Sequence, residues 1–132
     1  MSGVMPVLRN YGLHLTLDGY GADYIKLADI NLLFETLNEL PAKIGMSKIG
    51  FPHIAQFKEA EIAGISGIIM VVESHISIHT YSNKEFISLD VYSCKSFDTT
   101  IVIDFIKNIY NIKEMEINII DRGKKFPVEN IH

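Results

Sequence analysis

The sequence predicts an α+β fold, a two-layer α/β sandwich in which two helices lie on one face of a mostly antiparallel sheet. Apolar residues recur at helical spacing in residues 29–40 and 98–109. Other segments alternate apolar and polar residues or are wholly apolar, which is typical of strands. Because the elements run strand, helix, several strands, helix and strand, both helices are expected to cover one sheet face. The other face is expected to pack against that of a second copy.

The first half of the chain contains the first helix and two strands. Residues 11–17 alternate loosely and predict the first strand. The apolar positions of residues 30–40 predict a helix that Asp29 caps and Pro41 ends. Residues 47–57 are expected to hold the second strand.

The second half begins at a pair of glycines. Residues 64–67 predict a turn or bulge that leads into the apolar run at residues 68–72. Residues 86–92 alternate and predict a strand, and residues 114–120 predict the last one. Asp98 is expected to cap the second helix. The residues of this helix expected to point inward are Ile101, Val102, Phe105, Ile106 and Ile109.

The composition limits the class of protein. A chain of 132 residues, 48% of them hydrophobic, is expected to form a single domain over residues 1–132. Its net charge is −4 with scattered charges, so no basic patch indicates nucleic-acid binding. No apolar run reaches the roughly 20 residues of a membrane span, and the start does not resemble a signal peptide. One cysteine forms no internal disulfide, which favours the cytoplasm.

Residues 73–79 hold the Glu73 carboxylate, the Ser74 hydroxyl and two imidazoles directly after the apolar run. A serine is a weak nucleophile until a base takes its proton, and His75 and His79 are both local candidates. In a strand, however, the two histidines share one face and Ser74 points to the other. Three interpretations remain open: a structural Ser–His pair, a turn that brings Ser74 to His79, or a reaction at the backbone bond before Ser74.

The other polar residues give weaker signals. Cys94 lies in an alternating segment, where a lone cysteine is usually a small core residue. His14 and His53 are expected to have structural or surface roles. No cysteine or histidine spacing indicates a zinc site, and no glycine-rich phosphate loop is present.

Residues 64–67 read Gly-Ile-Ser-Gly, residues 73–81 read Glu-Ser-His-Ile-Ser-Ile-His-Thr-Tyr, and residues 89–94 end in Asp-Val-Tyr-Ser-Cys. These three motifs resemble the prokaryotic S-adenosylmethionine decarboxylase family. Its pattern at these places is G-V-S-G, E-S-H-L-S-I-H-T-[WY] and D-V-[FY]-T-C. The spacing agrees without a gap between these motifs, and the similarity spans residues 11–123.

The resemblance implies an enzyme that processes itself. The bond between Glu73 and Ser74 would break autocatalytically, giving chains 1–73 and 74–132 and converting Ser74 into a pyruvoyl group. Ser66 and His79 match the family's processing residues, and His79 would transfer the proton in the elimination step. Because a planar amide is normally inert, local strain or an oxyanion donor must assist this conversion.

The resemblance also implies the activity. The pyruvoyl group at Ser74 would form a Schiff base with the substrate amine, as pyridoxal phosphate does in other decarboxylases, and Cys94 would return a proton to the substrate. Neither a metal nor pyridoxal phosphate is expected. The family would place the protein in polyamine (spermidine) biosynthesis as a homodimer of cleaved protomers, without nucleic-acid or membrane partners.

Two departures from the family concern substrate binding. The family glutamate that holds the ribose is Asn83 here, a weaker acceptor, and its adenine-stacking phenylalanine is replaced by Ala60, with Phe57 as the nearest aromatic residue. Asn83 and Phe57 are therefore the candidate substrate-binding residues. The substitutions leave an arginine or ornithine decarboxylase as an alternative to S-adenosylmethionine decarboxylase. A non-catalytic binding homologue is a remote alternative.

Overall fold

The structure is a computed structural model that describes residues 8–9 and 11–127. It contains eight strands and three α-helices within these residues. The strands are β1 (Leu8–Arg9), β2 (Gly12–Tyr20), β3 (Ser47–Glu59), β4 (Ile62–Val72), β5 (Ser74–Tyr81), β6 (Phe86–Ser93), β7 (Glu114–Arg122) and β8 (Phe126–Pro127). The helices are α1 (Tyr24–Leu27), α2 (Ile30–Lys43) and α3 (Thr99–Tyr110), and a 3-10 turn spans Ser82–Lys84.

Six strands form one antiparallel sheet in the order β3-β4-β5-β6-β2-β7. The two short strands β1 and β8 pair separately. This confirms the predicted α+β class and all five predicted strand regions. Pairing of the open sheet faces between two copies stays a prediction.

The core lies between the sheet and the helices. On the central strands, the apolar side chains that point to the helices are fully buried, because period two sends every second side chain to the same face. On β5 these are Ile76 and Ile78, and on β6 they are Ile87, Leu89 and Val91. No helix of the described residues covers the opposite face, where Met70 on β4 is 51% exposed and Ile49 on β3 is 53% exposed. One sheet face is therefore open and partly apolar.

Both long helices begin where the sequence predicts. The Asp29 side chain accepts from the Leu32 amide at 3.0 Å, and Asp98 accepts from the Thr100 amide at 3.0 Å. The predicted stop at Pro41 is wrong, because α2 continues to Lys43. A proline in the last turn removes one backbone hydrogen bond only. Within the described residues, none of the helices has the length and apolarity to cross a membrane.

The inward face of α3 differs at one position from the prediction. Val102 and Ile106 are buried as expected, whereas Ile101 is 41% exposed. Tyr110, one turn after Ile106, is fully buried in its place. The buried stripe follows a spacing of four residues, and Ile101 lies a quarter turn outside it.

The predicted turn at residues 64–67 is wrong, because β4 runs through this segment without interruption. The turn lies earlier, where Ala60 has a φ of 54°. The glycines instead permit close packing. A Cβ on Gly67 would lie 2.6 Å from the Leu37 Cδ1 atom, and one on Gly64 would lie 2.5 Å from the Phe57 ring.

Candidate active site

The bond between Glu73 and Ser74 lies in the tight turn that joins β4 to β5. Val71 pairs directly with Ser74, so only Val72 and Glu73 form the turn. Ser74 is half-buried and has a φ of 135°, a value that residues with a side chain rarely adopt. Such backbone strain is often found at functional sites.

Cys94 lies beside this turn because β6 pairs with β5. Ser74 is opposite Ser93, so the residue after Ser93 reaches the turn. The Cys94 amide donates a hydrogen bond to the Glu73 carbonyl oxygen at 3.3 Å, and the Cys94 thiol lies 3.8 Å from the Glu73 carboxylate. We call Glu73, Ser74 and Cys94 the turn cluster. Its geometry suits a group formed from Ser74, with an amide and a thiol beside it.

Ser66 and His79 form a second group on the open face of the sheet. They are directly opposite each other on β4 and β5, and the Ser66 hydroxyl lies 2.8 Å from the His79 Nδ1 atom. Both side chains are half-buried. The hydrogen bond fixes the imidazole ring and leaves Nε2 available for proton transfer.

The structure separates this pair from the turn cluster. His79 follows Ser74 by five residue steps of extended strand, which is about 16 Å at 3.3 Å per residue. Within one chain, His79 therefore does not reach Ser74. Strand periodicity had already placed the two side chains on opposite faces of the strand. The distance is a second reason why they do not meet within one chain.

The other candidate base, His75, has a different environment. Its ring packs edge-on against Tyr92, with the centroids 5.9 Å apart. His14 lies on the other side of Tyr92 and is hydrogen bonded to Asp90 at 2.9 Å. Arg122 stacks on the Tyr92 ring at 4.7 Å and contacts His14 at 3.0 Å. The structural or surface role expected of His14 stays a prediction.

The candidate substrate-binding residues lie at the His79 end of the sheet. Phe57 packs edge-on against Tyr81 with a centroid distance of 5.9 Å, and it is 39% exposed. The Asn83 side-chain amide donates to the Glu61 carbonyl oxygen in the turn between β3 and β4. Tyr81, the aromatic residue that ends the motif over residues 73–81, lies on the same sheet face as His79 by period two. Substrate binding by Asn83 and Phe57 stays a prediction.

A comparison with known protein families matches residues 13–123 to the model described as S-adenosylmethionine decarboxylase. The chain belongs to this family. The resemblance inferred from the three motifs is thus confirmed. Members of the family are pyruvoyl-dependent carboxy-lyases that form their cofactor from a serine of their own chain.

Individual relatives agree with the family along most of the chain. The S-adenosylmethionine decarboxylase proenzyme of Geobacillus kaustophilus is 31% identical over 120 residues, which cover 89% of this chain and 91% of the relative. That of Clostridium botulinum (strain Langeland) is 30% identical over 118 residues, covering 89% and 98%. The crystal structure of the Aquifex aeolicus adenosylmethionine decarboxylase has a TM-score of 0.77 and 28% identity, covering 94% of this chain and 99% of that one.

Proposed function

We propose that this chain is a self-processing S-adenosylmethionine decarboxylase, folded as one domain, whose pyruvoyl cofactor is made from Ser74. The observation that carries the proposal is the turn cluster. The carbonyl group before Ser74 accepts the Cys94 amide, and the Cys94 thiol lies at the same turn. A serine next to a polarised carbonyl group is the arrangement that an acyl shift requires.

The first step transfers the Glu73 acyl group from nitrogen to oxygen. The Ser74 hydroxyl oxygen attacks the Glu73 carbonyl carbon, the C–N bond breaks, and the nitrogen takes up the hydroxyl proton. An ester links the two residues afterwards. A planar amide resists this reaction. The Cys94 amide stabilises the oxygen on which negative charge develops, and the unusual φ of Ser74 destabilises the starting amide.

The second step breaks the ester by elimination. A base removes the α proton of Ser74, the bond from its β carbon to oxygen breaks, and Glu73 leaves as a carboxylate. Chain 74–132 then begins with dehydroalanine, which takes up one water and releases ammonia to give the pyruvoyl group. We assign the base to His79, whose ring is held by Ser66.

We assign this His79 to a second copy, because the distance within one chain is too long for proton transfer. About 16 Å of strand separates it from Ser74 in the same chain. A two-fold axis that brings two open sheet faces together can place the Ser66–His79 pair of one protomer over the turn cluster of its partner. Exposed apolar side chains on that face, including Met70 and Ile49, support such a contact. The proposed dimer therefore completes the site.

In the mature enzyme the pyruvoyl group supplies an electron sink for loss of carbon dioxide. Cys94 is the proposed proton donor to the substrate carbon, because its thiol is at the same turn. The relatives' names favour S-adenosylmethionine over the arginine or ornithine alternative. Asn83 also has a contact of its own, the Glu61 carbonyl, so the exchange of glutamate for asparagine does not by itself indicate a different substrate.

The first prediction concerns cleavage of the purified protein. Intact mass under denaturing conditions should give two chains that divide between Glu73 and Ser74, because the acyl shift breaks that bond. The Ser74→Ala variant should remain one chain, since it has no hydroxyl. A wild-type chain that stays whole during prolonged incubation would show that the protein does not process itself.

The second prediction tests the shared site by co-expression of two differently tagged variants. Ser74→Ala alone and His79→Ala alone should both stay uncleaved. In mixed dimers, the His79→Ala chain should be cleaved, because its Ser74 faces the intact His79 of the partner. Gel electrophoresis after purification through both tags measures this.

The matched control places both substitutions in one chain. When the double variant Ser74→Ala/His79→Ala is co-expressed with wild type, the wild-type chain in mixed dimers should stay uncleaved. Two results together would contradict the proposed dimer: cleavage of this wild-type chain, and no cleavage of the His79→Ala chain when it is mixed with Ser74→Ala. They would mean that His79 acts within its own chain.

The third prediction concerns the substrate of the processed enzyme. Release of carbon dioxide should be detected with S-adenosylmethionine and be at least about a hundredfold weaker with arginine, ornithine and lysine, because those lack the nucleoside. Cys94→Ala should be cleaved normally, since it keeps its amide, but should release carbon dioxide poorly. Preferential turnover of arginine or ornithine would favour the alternative that Asn83 and Ala60 suggested.

A further inference from the structure

Ser93 is the last residue of β6, and its side chain is completely buried beside the turn cluster. It is directly opposite Ser74, so the two side chains point to the same side of the sheet. Buried hydroxyl groups almost always have a hydrogen-bond partner. The Ser93 hydroxyl oxygen accepts the amide proton of Lys95 at 3.0 Å.

This hydrogen bond encloses the backbone of Cys94. The ring that it closes runs from the Ser93 side chain through both peptide bonds of Cys94 to the Lys95 nitrogen. It therefore restricts the two torsions on either side of the Cys94 amide. That amide is the one that donates to the Glu73 carbonyl oxygen at 3.3 Å.

The strand ends at Ser93, and Lys95 and Ser96 are exposed to solvent. Gly12 of β2 packs against the same segment from the other side. A Cβ at that glycine would lie 2.0 Å from the Ser93 carbonyl oxygen and 3.0 Å from the Cys94 Cα atom. The segment is thus held by a hydrogen bond on one side and by close backbone packing on the other.

We propose that Ser93 is a positioning residue for self-processing. Its hydroxyl holds the Cys94 amide toward the oxygen atom that becomes negatively charged during the acyl shift. A donor that is already aligned needs no reorganisation in the transition state, which is the source of its effect on rate. The inference rests on the proposed function and concerns its first step only.

The test measures cleavage of freshly synthesised chains. Ser93→Ala removes the acceptor, and we expect cleavage to slow by about tenfold or more, since loss of an oxyanion donor outright costs a hundredfold or more. Ser93→Thr keeps the hydroxyl and should cleave at close to the wild-type rate. Ser93→Cys keeps the side-chain volume but offers only a weak acceptor, so its cleavage should be slow. This variant separates the effect of the hydrogen bond from an effect of packing. Ser96→Ala, in the same loop, is the matched control.

Hydroxylamine identifies the step that is slowed. It cleaves esters, so it should release the fragments of His79→Ala, in which the ester accumulates before elimination. In Ser93→Ala the ester forms slowly, and hydroxylamine should not speed cleavage. Unfolding temperatures of the Ser93 variants, measured in a Ser74→Ala background, serve as a control for structural defects. We expect them to be similar. A structural defect would instead lower the unfolding temperature of each variant in parallel with its cleavage rate.

The outcomes separate the two proposals. Slow cleavage of the Ala and Cys variants, normal cleavage with Thr and no effect of hydroxylamine would support the role of Ser93. Cleavage of Ser93→Ala at the wild-type rate would overturn that role and leave the proposed function intact. Accumulation in Ser93→Ala of an ester that hydroxylamine cleaves would have the same consequence. Failure of the wild-type chain to cleave would overturn both.

Discussion

The hydrogen bond from the Cys94 amide to the Glu73 carbonyl oxygen depends on the register in which β4, β5 and β6 pair. Pairing of Val71 with Ser74 leaves a turn of two residues, and pairing of Ser74 with Ser93 brings the next residue of β6 to that turn. A shift of one residue in either ladder would turn every side chain to the other face and separate the donor from the carbonyl. The buried faces of Ile76, Ile78 and the β6 residues oppose such a shift.

The same register explains why the polar residues form two groups rather than one. Antiparallel pairing places Ser66 opposite His79, at the far end of the strand that begins with Ser74. Extended strands are stiff, so no side-chain movement bridges the distance. In the proposed function a second copy brings the two groups together, and the open, partly apolar sheet face offers the surface for this contact. In this account, the dimer is part of the chemistry and not only a form of assembly.

The sequence alone predicts the parts of the structure that local rules determine. Both long helices begin at the aspartates that cap them, and five of the six strands in the main sheet were anticipated from alternation or from an apolar run. The motifs also identified the family. The errors occurred where tertiary packing, and not the local sequence, determines the structure. The glycines at 64 and 67 lie within a strand because neighbouring side chains leave no room for a Cβ, and Ile101 lies just outside the buried stripe of α3. Ser93 was overlooked because its role depends on which residue lies opposite, and a single sequence does not give the strand register.

The central claim is that Ser74 itself, and not a water molecule, breaks the bond to Glu73. Processing in water enriched in oxygen-18, followed by the mass of fragment 1–73, tests this directly. The new carboxylate of Glu73 keeps its carbonyl oxygen and gains the Ser74 hydroxyl oxygen, so the account predicts no heavy oxygen in this fragment. One heavy oxygen in the carboxylate would show that the bond is hydrolysed, and would contradict the acyl shift on which the whole account rests.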